Sequence, residues 1–206
     1  MNKKLLLLCT SIVVVLEAVG FAMSVKEFGV GLFQYYTQDS NLMVLVSSLL
    51  LLVFLLKGEI PRWLHLFRYW SVIATTITLA VVLLVLAPME SLRSGFDGFL
   101  YMIFYKSRTF HHFICPSLTA VSFCLLERGE MLTRKDTLWA MIPTGVYAAV
   151  LIVLNLVDMI VGPYPFLEVK NQPVIASVFW AIGIFGVAYG VGALIGKLSN
   201  CKKNIA

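Results

Sequence analysis

Apolar residues in this chain come in long, nearly unbroken runs, not in the 3.6-residue stripes of a water-facing helix. Six runs can be delimited, at about 5–23, 36–56, 70–89, 109–126, 138–161 and 174–196. Several, such as VVLLVLA at 81–87, are apolar all round. Each comes close to the ~20 residues with which an α-helix crosses the hydrocarbon core of a bilayer. The second reaches that length only if its helix begins near Tyr35, which draws Thr37, Gln38, Asp39, Ser40 and Asn41 into the membrane boundary. The pattern predicts an all-α fold: a polytopic membrane helix bundle of six transmembrane helices, forming a single integral membrane domain over 1–206.

Composition excludes the water-soluble alternative. Charged residues make up 13% of the chain and hydrophobic ones 60%, whereas a soluble domain carries about 25% charge. The net charge of +5 does not point to nucleic acid, because the basic residues lie in short connections between apolar runs. There they orient the protein: the N-terminal end, the connections 57–68 and 127–137 and the C-terminal end hold most of the Lys and Arg, including Lys202 and Lys203. By the positive-inside rule the expectation is N-in/C-in in a cell membrane, with membrane lipids as the immediate partners. The first run also resembles a secretory signal, but Glu17 interrupts it before any AxA-like site, so it is taken as a retained helix. The four cysteines show no CxxC spacing and no disulfide framework.

Ionisable groups are costly in a bilayer, so their positions are the best pointer to chemistry. On this topology they gather at the outer ends of the helices. Thr37, Asp39, Ser40 and Asn41 open the second span, and Arg108, His111 and His112 open the fourth. Asp158 closes the fifth, and Tyr164, Glu168 and Lys170 follow it. The charges at the opposite end read as loop and anchor residues. Arg108 and His112 share a helical face at i, i+4, and successive residues diverge by about 100°. One histidine of the His111–His112 pair is therefore expected to face the interior, where a neutral imidazole can act as a base, and the other to lie at the interface or against a neighbouring helix. A metal site built on His111 with Cys115 lacks any HExxH or CxxC support. Thr37, Asp39 and Ser40 are each able to cap a helix, so some are surplus to capping. A hydroxyl beside an imidazole is the minimum for covalent acyl transfer. Glu17, inside the first span, either bonds within the bundle or lines a polar cavity. No phosphate-cradling glycine motif, GxSxG or cofactor fingerprint occurs, and no cofactor is expected.

The runs QYYTQDSNLMVLVSSLLLL, FRYWSVIATTITLAVVLL, HHFICPSL and GPYPFLEV, in that order over about 33–170, resemble the androgen-induced family of multi-pass proteins and their bacterial relatives. The resemblance implies an intramembrane threonine hydrolase that splits fatty acid esters of hydroxy fatty acids. It maps the family's threonine onto Thr37 and its histidine onto His112 or His111, with His112 favoured because it shares a face with Arg108. Two departures stand out, the HH doublet and a QDSN stretch more polar than the animal segment. The expectation is therefore a lipid (fatty acyl) ester hydrolase with Thr37 as nucleophile. Arg108 or backbone N–H groups would steady the oxyanion, and Asp158 or Glu168 would orient the imidazole. The alternative is a non-enzymatic protein that binds or transports a lipid or small molecule through the same polar cluster.

Overall fold

The computed structural model describes residues 2–201, and Lys202 and Lys203 lie outside the described residues. Among those residues every regular element is helical. Helix α1 spans Lys3–Phe28, α2 Tyr36–Lys57 and α3 Arg62–Val81. A π-helical turn, Val82–Leu86, joins α3 to α4, Ala87–Phe104. A second π segment, Thr109–Ile114, runs into α5, Cys115–Leu125, followed by α6 (Arg134–Trp139), α7 (Ile142–Leu156) and α8 (Val174–Cys201). Five stretches are long and apolar enough to cross a membrane: Lys3–Gln34, Tyr36–Lys57, Arg62–Phe104, Arg134–Leu156 and Val174–Cys201. The apolar helix Thr109–Leu125 is shorter. It is cut off at its start by Lys106, whose backbone is left-handed (φ 50°). Two connections expected as loops are largely helical. Helix α3 starts at Arg62, directly after Pro61, and α4 continues to Phe104 through a kink at Gly95, where φ is 70°.

Local chemistry accounts for the ends. The Asn2 side chain accepts the Leu5 N–H at the start of α1, and Gly58, in the left-handed region (φ 96°), closes α2. Thr133 and Asp136 form a reciprocal capping box on α6.

The bundle is apolar outside and polar along its seams. Leu8, Val15, Phe179 and Ile182 are exposed, while Ser40, Asn41, Ser47, Ser48, Ser71 and Thr75 are buried. That arrangement suits a hydrocarbon solvent, in which each polar group must find its partner inside the protein. Helix α3 is the central element and packs on α2, α5 and α8. Its Tyr69, Val72, Ile73 and Ile77 form the main core with Phe123 of α5 and Ala188 and Ile195 of α8. The α2–α3 seam is pinned by two hydroxyl pairs, Ser40–Thr78 and Ser47–Ser71, each at 2.9 Å. The pairs are spaced alike on the two antiparallel helices, so a shift by one residue would break both. Helix α8 approaches closely enough for the Tyr69 hydroxyl to donate to the Gly192 carbonyl at 2.7 Å.

At the end opposite the expected site, Arg68 and Glu127 are buried together, contrary to the reading of those charges as loop and anchor residues. Arg68 donates through Nε and Nη2 to Glu127, the shortest bond being 2.5 Å, and through Nη1 to Ser47 and Ser48. Their separation in sequence hid the pairing. Breaking a buried pair leaves an uncompensated charge and costs about 3–5 kcal/mol. Glu127→Ala is therefore expected to lower unfolding stability in bicelles by that order, and Arg68→Met/Glu127→Leu to recover most of it.

Candidate functional site

Both π segments lie immediately ahead of a proline. Pro116 follows His112 by four residues, and Pro88 follows Leu84 by four. A proline inside a helix removes one backbone hydrogen bond, and its ring collides with the carbonyl four residues back. Widening the turn relieves the collision. The Cys115 N–H accordingly bonds to Phe110 and the Ala87 N–H to Val82, five residues back in each case.

This widening alters the histidine pair. A regular α-helix would send one ring inward and the other aside, but both are buried, His111 at 0% exposure and His112 at 8%. The expectation for the pair holds in part: His111 packs against a neighbouring helix, yet both rings line one cavity, and Pro116 was the signal in the sequence that a regular turn should not be assumed. His111 lies against α1, its ring 4.8 Å from that of Phe21. Its Nε2 is 3.3 Å from Glu17 Oε2, an ion-pair separation at which neither atom forms a hydrogen bond. The Glu17 carboxyl also faces the Cys115 thiol. Gly20 makes room for the imidazole, since a Cβ there would stand 2.7 Å from His111 Cδ2. His112 is held differently. Its Nδ1 lies 2.6 Å from the Met102 carbonyl. A carbonyl only accepts, so Nδ1 carries the proton and Nε2 keeps its lone pair.

Both histidines line a polar cavity of about 170 Å³ with Thr37, Gln38, Ser107 and Arg108. The Arg108 guanidinium lies over the Tyr101 ring at 4.6 Å and the Tyr105 ring at 5.7 Å. A second cavity, of about 120 Å³, is almost wholly apolar and runs between α2, α3, α7 and α8, past Ile77, Val81, Ile152, Trp180 and Phe185. Thr37, Leu86 and Tyr164 belong to the walls of both. Thr37 thus stands where an apolar space meets a polar one. Its hydroxyl bonds to neither histidine. The Tyr164 phenol lies beside the Thr37 hydroxyl and its backbone N–H. Burial pushes that phenol up to about 12, against the opposing pull of the Thr37 donors, so it stays protonated and able to donate.

The remaining candidates separate into positioning groups and distant ones. Asn41 donates to the Thr37 carbonyl at 2.6 Å and to the His111 carbonyl at 3.1 Å, tying α2 to the π segment. Ser40 is spent on Thr78 and the Thr37 carbonyl. Asp39 occupies the first turn of α2, where a carboxylate suits the helix dipole, and lines neither cavity. Asp158 and Glu168 do not orient an imidazole. Asp158, mostly exposed, pairs with Lys170 at 2.5 Å, and Glu168 accepts from Asn171. The orienting acceptor for His112 is the Met102 carbonyl, which no side-chain pattern announces. Gln38, part of the polar run but not singled out, also proves to be a wall residue. Among the described residues no three of His, Cys, Asp and Glu converge closely enough to hold a metal ion.

No family model, curated protein or solved structure matches the chain.

Asn41→Leu keeps the volume of this side chain but removes the donor to the buried His111 carbonyl, while the Thr37 carbonyl retains Ser40. It is expected to cost about 1–3 kcal/mol of unfolding stability, read from unfolding curves of the wild type and variant in the same bicelles.

Proposed function

We propose that this chain is a six-span, N-in/C-in integral membrane hydrolase of fatty acyl esters, with Thr37 as nucleophile and His112 as general base. The observation that carries the reading is the position of Thr37 at the junction of the two cavities, one of which also holds a histidine of fixed tautomer. The resemblance to the androgen-induced family, in the residues around Thr37, His112 and Tyr164, points the same way. Support for a retained first helix comes from α1, which supplies Glu17 and Gly20 to the packing around His111. The distribution of Lys and Arg supports the orientation.

The acyl chain occupies the apolar cavity and brings its ester carbonyl to Thr37. The Tyr164 phenol, in contact with the Thr37 hydroxyl at rest, turns its proton to the carbonyl oxygen and frees that hydroxyl for His112. Thr37 Oγ1 bonds to the acyl carbon as His112 Nε2 takes its proton. Tyr164 stabilises the oxyanion. The tetrahedral adduct collapses, the ester C–O bond breaks, and His112 returns the proton to the departing alcohol. Water then attacks the acyl-threonine with His112 again as base, releasing the acid and restoring Thr37.

Purified protein assayed on fluorogenic acyl esters and with a fluorophosphonate probe tests the reading. Thr37→Ala and His112→Gln are each expected to lower turnover at least about a hundredfold, and Tyr164→Phe by a similar factor. Wild-type labelling no stronger than that of Thr37→Ala would overturn it. In a cysteine-free background, Ser94→Cys should react with an impermeant maleimide in intact cells. Glu59→Cys should react only after permeabilisation.

A further inference from the structure

Among the residues that line the polar cavity, Gln38 Oε1, Arg108 Nη1 and both ring nitrogens of His111 are buried without a hydrogen bond, and the His111 ring is packed against Glu17 and Phe21, which leaves Gln38 and Arg108. Gln38 is only 5% exposed, so bulk water does not make good the loss. Leaving a buried acceptor and a buried donor unpaired is expensive, and the two residues line one space. Whatever fills that space must donate to one and accept from the other. The amide turns its carbonyl oxygen, an acceptor, to the unpaired position.

Three headgroup chemistries can be compared on this basis. An apolar group satisfies neither atom. A carboxylate accepts from Arg108, yet brings no proton for a carbonyl-type acceptor. A hydroxyl both donates and accepts, and two on neighbouring carbons span a pair of such groups. The cation itself is partly served, its face lying over the Tyr101 and Tyr105 rings, so an anion is not required to complete it. His112 Nε2 adds a second acceptor to the same wall.

We propose that the polar cavity receives the alcohol side of the ester, and that this headgroup is a neutral polyol with free hydroxyls, of the glycerol class. The proposal rests on the hydrolase reading for the placement of the acyl chain. It goes further in dividing the substrate at Thr37, with hydrocarbon toward Ile77 and Trp180 and hydroxyls toward Gln38 and Arg108. The substrate class is then the monoacylglycerol type of lipid.

The test uses binding rather than turnover, so that it stands apart from catalysis. Full-length wild type and Thr37→Ala are placed in phosphatidylcholine nanodiscs with a fluorescent fatty acyl methyl ester bound. Its displacement is titrated with 1-O-hexadecylglycerol, hexadecanoic acid and 1-methoxyhexadecane, none of which contains a cleavable ester. The glycerol ether is expected to displace the probe at about tenfold lower concentration than either rival, the factor set by one satisfied polar contact. Gln38→Leu and Arg108→Leu should each erase that preference while leaving displacement by 1-methoxyhexadecane unchanged. A wild type that prefers the acid has an anion site, and equal potency of the three compounds means the headgroup is not read. Either result overturns the proposal without any variant having to fold. Preference for the glycerol ether together with absent fluorophosphonate labelling would retain the headgroup site and discard the hydrolase.

Discussion

Hydrocarbon offers a polar side chain no alternative to a partner within the protein, and the architecture of this bundle follows from meeting that demand almost everywhere. Along the α2–α3 seam the hydroxyls of Ser40 and Ser47 meet those of Thr78 and Ser71. Farther toward the opposite end Arg68 spends all its nitrogens on Glu127, Ser47 and Ser48. These bonds hold α3 in one register against α2. The register in turn sets where the π turn Val82–Leu86 falls and hence where Leu86 enters the walls of both cavities. A hydroxyl pair contributes about 1 kcal/mol, so no single pair holds the seam. Their common spacing makes the alternatives costly together. The candidate site is one region where this pairing runs out. Gln38, Arg108, His111 and Glu17 all keep buried atoms without a hydrogen bond.

Much of the fold was legible because transmembrane helices announce themselves by length and apolarity. The stretch 36–56, expected to begin near Tyr35, forms α2 from Tyr36 to Lys57, and its length requirement correctly brought Thr37 into the helix. Bulk hydropathy could not show that Arg68 is interior, since its partner lies far along the chain and a charged residue beside a loop looks like an anchor. Regular helical geometry misled in another way. Arg108 and His112 do share a cavity wall, as the i, i+4 spacing suggested, but the same rule did not bring both histidines to one cavity. Pro116 carried the missing information through a steric effect that periodicity does not encode. Asp158 and Glu168 looked like imidazole partners only because carboxylates usually fill that role. A backbone carbonyl fills it here, and backbone acceptors leave no mark in side-chain chemistry.

A carrier built on the same polar cluster would need the solute to leave toward the other face, and a second polar level does exist there around Arg68 and Glu127. Its chemistry argues against transit. The Arg68 guanidinium has its nitrogens committed to two serines and a carboxylate, and admitting a solute would require breaking a buried ion pair, at about 3–5 kcal/mol. At the Thr37 end the costs run the other way, because an occupant pairs atoms that are now unpaired. The two levels are therefore unequal: one is closed and self-satisfied, the other open and short of partners. Alternating access exposes one site to each face in turn and so needs a route past this second level, which the closed Arg68–Glu127 pair opposes. A single-sided pocket whose polar half meets its apolar half at a hydroxyl is better matched to binding an amphipathic lipid and acting on the bond at that junction.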